Sequence, residues 1–82
     1  MFHIYILQSL TSGKYYIGSC ENIGNRVKQH NDGKVKSTKA FTPWKLVYEE
    51  TFSRLREARI REHQLKSWKS RDALKKLIEK HF

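Results

Sequence analysis

The alternation of hydrophobic and polar positions changes period along this chain, and each change marks a new element. Residues 2–7 form a short run of aromatic and β-branched side chains, and residues 15–20 resume it after a segment rich in turn formers. This pattern predicts a β-hairpin. Because side chains alternate across a strand, pairing Tyr5 near Tyr16 would place both phenols, His3 and Gly18 on one face of the sheet.

A helical period follows the hairpin. Asn22 is a suitable N-cap, the apolar Ile23 and Val27 recur four residues apart, and Gly33 follows as a stop signal. The sequence therefore predicts a first helix that begins just after Asn22.

Two polar residues of this helix share the same spacing. Arg26 and His30 are four residues apart and therefore lie on one stripe beside the apolar one. Residues 34–43, which follow the helix, carry lysines and show no apolar periodicity, so we expect a basic loop.

Residues 44–52 alternate again and predict a third strand. The alternation would put Leu46, Tyr48 and Phe52 on one face. Ser53 and Ser70 are natural caps for two further helices. The apolar stripe of the first of these comprises Leu55, Ala58, Leu65 and Trp68. The predicted order is β-β-α-β-α-α, in one α+β domain that spans residues 1–82.

Charge narrows the class of partner. The 82 residues include 17 Lys and Arg against eight Asp and Glu, a net charge of +9, which favours a polyanionic partner such as nucleic acid or an acidic membrane surface. The alternative is a solvated helix face. No apolar run is long enough for a membrane span and no signal peptide is evident, so the sequence predicts a cytoplasmic protein without membrane contact. The candidate phosphate-contacting residues are Lys34, Lys36, Lys39, Arg59, Lys66 and Lys69.

The tyrosine pair and one acid are the candidates for chemistry. Two tyrosines on one small sheet are often only packing, and a phenol is a weak base unless a cation lies next to it. Glu62, with Lys66 four residues later, is often only one half of an ion pair. Yet a catalytic magnesium ion needs only one or two carboxylates in addition to phosphate oxygens and water, so Glu62 alone can suffice. The histidines show no zinc-ligand spacing.

These residues resemble the motif of the GIY-YIG nuclease family. Ile4-Tyr5 is followed after ten residues by Tyr16-Ile17-Gly18, although His3 stands where the motif name has glycine. Small stand-alone members also carry a helix ending in Gln-His-Asn, a Pro-Trp-x-Leu-Val-Tyr strand and a Glu-x-Gln-Leu-Lys-x-Trp helix. The matching positions here are residues 29–31, 43–48 and 62–68.

The resemblance implies a fold and a site. The fold is a three-stranded antiparallel sheet flanked by helices. The site residues would be the motif tyrosines Tyr5 and Tyr16, the helix arginine Arg26, His30, and Glu62 as ligand to a single Mg²⁺ or Mn²⁺ ion, with Gly18 as the motif glycine.

The resulting hypothesis is a metal-dependent phosphodiesterase that acts on DNA, with a partner protein as a further source of specificity. In it, Arg26 stabilises the charge on the phosphate and one tyrosine activates water. His30 either assists proton transfer or binds phosphate. One alternative is a module that keeps the fold and the basic surface but binds nucleic acid without cutting it. Another is a domain whose positive surface meets an acidic protein.

Overall fold

Three strands and three α-helices follow one another in the order β-β-α-β-α-α across residues 1–81, which a computed structural model describes. The order and the α+β class confirm the sequence prediction. The strands are β1 (Phe2–Ser9), β2 (Tyr15–Cys20) and β3 (Trp44–Phe52), and the helices are α1 (Ile23–Asn31), α2 (Leu55–Ser67) and α3 (Arg71–His81). The predicted basic loop also contains a short 3-10 turn at Lys39–Phe41.

The sheet is antiparallel, with β1 in the centre and β2 and β3 at its edges. In the ladder between β1 and β2, Tyr5 lies opposite Gly18 and Leu7 lies opposite Tyr16. The two phenols are therefore diagonal neighbours on one face, as the alternation predicts.

A β-bulge changes the facing of strand β3. Ile6 pairs with Tyr48 but Leu7 pairs with Leu46, so Val47 is an extra residue in the ladder. Tyr48 consequently packs on one face of the sheet, and Leu46 packs on the other. The prediction that Leu46 shares a face with Tyr48 is wrong, because strict alternation stops at the bulge.

The two faces of the sheet carry separate cores. Helices α2 and α3 cover one face, with Ile4, Ile6, Ile17, Tyr48, Ala58 and Leu65 at its centre. Helix α1 covers the other face, where Tyr5, Leu7, Cys20 and Trp44 pack with Ile23 and Val27. The tyrosine face is thus the face beneath α1.

Local hydrogen bonds explain where the helices begin. The Asn22 side chain accepts from the Asn25 amide at 3.0 Å, and the Ser70 hydroxyl accepts from the Ala73 amide at 3.2 Å, so both predicted caps are confirmed. Ser53 does not cap α2: Arg54 takes that position, and the Ser53 hydroxyl donates to the Glu57 carboxylate instead. Within residues 1–81, the helices are too short and polar to span a membrane.

Candidate active site

Tyr5 lies flat across Gly18. A β-carbon at position 18 would stand 2.5 Å from the Tyr5 hydroxyl oxygen and 2.6 Å from the carbon that bears it. Such a short distance cannot be accommodated, so the absence of a side chain at Gly18 is what allows the Tyr5 ring to occupy this place. Tyr5 is only 2% exposed.

The Tyr5 hydroxyl is hydrogen-bonded to His30 of helix α1. Its oxygen is 3.0 Å from His30 Nε2, and His30 Nδ1 is 2.7 Å from the hydroxyl of Thr38 in the basic loop. His30 is 1% exposed, so it is a core histidine with both ring nitrogens occupied. Burial and the nearby charge of Arg26 lower the pKa of His30, which keeps the imidazole neutral at neutral pH.

Tyr16 packs against the same histidine and remains half-buried. Its ring centroid is 4.9 Å from that of His30 in an edge-on arrangement, 6.3 Å from that of Trp44 and 6.4 Å from that of Tyr5. These aromatic contacts hold Tyr16 beside Tyr5 while leaving part of it accessible.

Arg26 and Glu62 both act on the Tyr5 phenol. Burial raises the pKa of Tyr5, the neighbouring Tyr16 raises it further, Arg26 opposes this effect, and the negative charge of Glu62 adds to it. Burial is the largest of these effects on the Tyr5 pKa, and the effect of Glu62 is the smallest.

Glu62 lies beside the edge strand β2. Its carboxylate interacts with Ser19, the residue that follows Gly18 on β2. Because side chains alternate along a strand, Ser19 faces α2, whereas Tyr5 and Tyr16 lie on the face beneath α1. The fold thus places Glu62 against the strand that carries Tyr16 and Gly18, on the other face of the sheet from the phenols.

Glu62 is ionised and partly accessible. Burial raises its pKa, but the hydrogen bonds from Lys66 and Ser19 and the charges of Lys66 and Arg59 more than offset this, so the pKa is lower than usual. Lys66 Nζ is 2.8 Å from the carboxylate, and the Glu62 side chain is 21% exposed. A cation already occupies one side of this carboxylate.

The donor set fits magnesium or manganese better than zinc. Within residues 1–81, no group of three or more His, Cys, Asp and Glu side chains could hold a metal ion. Glu50 accepts hydrogen bonds from Arg61 and Tyr48 and is thereby committed elsewhere. A single ionised carboxylate is enough for Mg²⁺, which keeps several waters and takes phosphate oxygens as ligands.

The predicted basic residues are all exposed but occupy two different places. Lys66 and Lys69 line a groove of about 380 Å³ together with Tyr15, Tyr16 and Arg71, and Arg59 lies one helical turn before Glu62. The loop lysines Lys34, Lys36 and Lys39 belong to the segment that meets His30 on the ring edge opposite Tyr5.

The sequence does not predict the contacts of Arg71 or the burial of Thr38. Arg71 lies over the Tyr15 ring, 4.9 Å from its centroid, and donates to the Gly13 carbonyl at 2.8 Å. Thr38 is 1% exposed, although it lies among lysines in a segment without periodicity. No local pattern marks either residue. Arg71 meets a carbonyl that is distant in the sequence, and the burial of Thr38 depends on how the loop folds against His30 and Trp44.

A second groove opens beside Arg26. It measures about 400 Å³ and is lined in part by Cys20, Asn22, Asn25 and Gln29 as well as Arg26. Polar side chains of α1 therefore share a groove with Arg26.

Comparison with known proteins identifies the family of this chain. The family model described as the GIY-YIG catalytic domain matches residues 1–77. The UPF0213 protein SERP0126 of Staphylococcus epidermidis is 35% identical over 78 residues, which are 94% of this chain and 95% of that protein. A UPF0213 protein of Bacillus licheniformis is 39% identical over 79 residues, 95% of this chain and 81% of that one.

A solved structure is also similar. The solution NMR structure of the UPF0213 protein BH0048 from Bacillus halodurans superposes with a TM-score of 0.60 at 31% identity, and the match covers 96% of this chain and 84% of the other. The family match spans both motif tyrosines, Arg26, His30 and Glu62. The chain therefore belongs to the GIY-YIG family of nuclease-type catalytic domains.

Proposed function

We propose that this protein is a divalent-metal-dependent endonuclease that hydrolyses phosphodiester bonds in DNA. The observation that carries the proposal is the cluster of Tyr5, Tyr16 and His30 beneath α1, with the charge of Arg26 near Tyr5 and with an ionised, partly accessible Glu62 beside the edge strand β2. A guanidinium, a carboxylate and a phenol are the groups required to hold a phosphate, bind a cation and move a proton.

Glu62 and Arg26 would act on the phosphate. Glu62 would bind Mg²⁺ or Mn²⁺ in place of the Lys66 ammonium, which is 2.8 Å away and could turn to the phosphates in the adjoining groove. A bound ion supplies Lewis-acid stabilisation of the charge that develops on the phosphate. Arg26 adds a fixed positive charge from the other side.

Tyr5 would accept the proton of the attacking water. A free phenolate at Tyr5 is unfavourable because burial raises the pKa of this residue, but Tyr5 can pass its own proton to His30 Nε2 through their hydrogen bond. As water attacks phosphorus, its proton would pass to the Tyr5 oxygen and the Tyr5 proton to His30 Nε2. The phosphorus–oxygen bond to the leaving group breaks, and the leaving oxygen takes up a proton from solvent. Tyr16, half-buried beside it, would contact the substrate.

His30 would serve proton transfer and not phosphate binding. Its side chain is 1% exposed and both ring nitrogens have hydrogen-bond partners within the protein, so neither is available to a phosphate. This assigns one of the two roles that the sequence leaves open.

Supercoiled plasmid provides the direct test. We expect the purified protein to nick it in the presence of Mg²⁺ or Mn²⁺ and to stop when EDTA removes the metal. Titration of Mg²⁺ followed by NMR should move the resonances of Ser19 and Glu62 first. DNA binding without any product over the whole metal range would instead identify a non-catalytic binding module.

The loop lysines are expected to contact phosphates. Replacing Lys34, Lys36 and Lys39 together by Gln should weaken duplex DNA binding and reduce the slope of log K against log salt by about 0.9 for each phosphate that is no longer neutralised. The matched control replaces Lys75, Lys76 and Lys80 of α3, which are also exposed and whose replacement removes the same net charge. Equal slopes in the two triple variants would contradict a specific role for the loop.

A further inference from the structure

Thr38 connects the basic loop to the centre of the site. Its hydroxyl contacts His30 Nδ1 at 2.7 Å and the Val35 carbonyl at 3.3 Å, and its own carbonyl accepts the indole N–H of Trp44 at 2.9 Å. The side chain is 1% exposed, and so these contacts are shielded from competition by water.

Helix α1 and strand β3 fix the position of this segment. The Asn31 side chain accepts from the Trp44 amide at 2.6 Å and donates to the Trp44 carbonyl at 3.1 Å. Trp44 in turn holds the Thr38 backbone through its indole N–H. Thr38 is therefore supported from the end of α1 and from the start of β3.

The partners of Thr38 determine the direction of its hydrogen bonds. A carbonyl oxygen can only accept, so the contact with Val35 uses the single proton of the Thr38 hydroxyl. With that proton on the Val35 side, the hydroxyl oxygen accepts from His30, and the proton of the neutral imidazole is then on Nδ1. His30 Nε2 is left as an acceptor, and the Tyr5 hydroxyl donates to it.

We propose that Thr38 is a positioning residue that holds His30 in the tautomer protonated on Nδ1, so that Nε2 can receive the proton of Tyr5. The three donors then point the same way. The Tyr5 hydroxyl donates to His30 Nε2, His30 Nδ1–H donates to Thr38, and the Thr38 hydroxyl donates to the Val35 carbonyl. The Tyr5 oxygen is left as an acceptor for a proton from the site. The inference about the tautomer rests on the contact between the Thr38 hydroxyl and the Val35 carbonyl, and its catalytic consequence rests on the proposed nuclease function.

The proposal also links substrate contact to chemistry. Lys36 and Lys39 flank Thr38 in the loop, so the lysines expected to contact phosphates lie on the same segment that orients His30. Displacing this loop would disturb both DNA binding and the proton acceptor of Tyr5.

The first test is the tautomer itself. Two-bond ¹H–¹⁵N NMR correlations from the imidazole ring protons distinguish Nδ1–H from Nε2–H in the unmodified protein. We expect His30 to carry its proton on Nδ1. A proton on Nε2 overturns the proposal, whether or not the protein cuts DNA.

Variants of Thr38 supply the second test. Thr38→Val keeps the branched shape but cannot accept a hydrogen bond, so we expect loss of the pure Nδ1–H signature and a fall in the nicking kcat of about 10- to 100-fold, with DNA binding little changed. Thr38→Ser should restore both. The control is Thr42→Val in the same loop, whose hydroxyl contacts only the Lys39 carbonyl among the described hydrogen bonds.

The outcomes distinguish failure of the positioning role of Thr38 from failure of the nuclease proposal. An unchanged tautomer and an unchanged kcat in Thr38→Val would overturn the positioning role. If Thr38→Val does not fold, the tautomers of the unmodified protein and of Thr38→Ser decide. If the protein never cuts DNA but Thr38→Val changes the His30 tautomer, the nuclease proposal fails while the structural role of Thr38 stands.

Discussion

Replacing Glu62 by Gln is expected to reduce metal-dependent nicking at least about 10³-fold while DNA binding persists or tightens. The substitution keeps the size of the side chain and its hydrogen bonding to Ser19, but it removes the ionised carboxylate at the site. Several kcal/mol of charge stabilisation at the phosphate would disappear, and each 1.4 kcal/mol is about tenfold in rate. Removing a negative charge from a basic groove does not weaken binding to a polyanion.

The fold should tolerate this change. The Glu62 to Lys66 ion pair is partly exposed, with 50% of the lysine side chain accessible, so its loss is worth about 1 kcal/mol or less. Nicking rate, DNA affinity, the unfolding midpoint and the response of Ser19 resonances to Mg²⁺ together separate loss of the metal from loss of structure.

Glu57→Gln is the matched control. Glu57 is an exposed carboxylate on the same helix, and it accepts a hydrogen bond from the Ser53 hydroxyl. It should cut DNA at the unmodified rate. Full activity in Glu62→Gln, or equal losses in both variants, would exclude Glu62 as the metal ligand.

Adding one methyl group at Gly18 is expected to destabilise the protein by about 2 kcal/mol, within the range typical of an overpacked core. The new β-carbon would stand 2.5 Å from the Tyr5 hydroxyl, and Tyr5 cannot retreat easily because His30 and the aromatic core hold it. We expect Gly18→Ala to shift Tyr5, break its bond to His30 and lower the nicking rate together with the free energy of unfolding.

Gly24 offers the matched control for the same substitution. Its nearest neighbour to an added β-carbon is the Asn22 side-chain oxygen at 3.5 Å, an ordinary contact. Because Gly24 lies within helix α1, Gly24→Ala should be neutral or stabilising by up to about 1 kcal/mol. Denaturant unfolding of both variants measures the difference. Equal stability of Gly18→Ala and the unmodified protein would contradict the packing of Tyr5 over Gly18.

Local features of the fold were predictable because their causes are local. Asn22 and Ser70 cap helices through hydrogen bonds that span only three residues, so the residue type and its place in the pattern are sufficient. Ser53 is also a suitable cap residue in a suitable place, but it does not cap α2, since Arg54 takes the N-cap position. The bulge at Val47 left no mark in the alternation, because pairing with β1 produces it.

The burial of His30 shows the same difference between local and tertiary causes. Taken singly, His30 is typical of a surface residue on an amphipathic helix, and the structure buries it between Tyr5 and Thr38. Its burial depends on contacts with positions 25 residues earlier and eight residues later in the chain. A helical period indicates which residues share a stripe but not which partner covers that stripe.

From the sequence alone follow the order of the elements, the common face of Tyr5 and Tyr16, and the pairing of Arg26 with His30 on one stripe of α1. These depend on the periods of a strand and of a helix, which are properties of the local backbone. Only the tertiary structure decided that Glu62 lies against β2, the strand that carries Tyr16 and Gly18. The physical reason is that α2 and β2 are far apart in the sequence and meet only when α2 packs on the sheet.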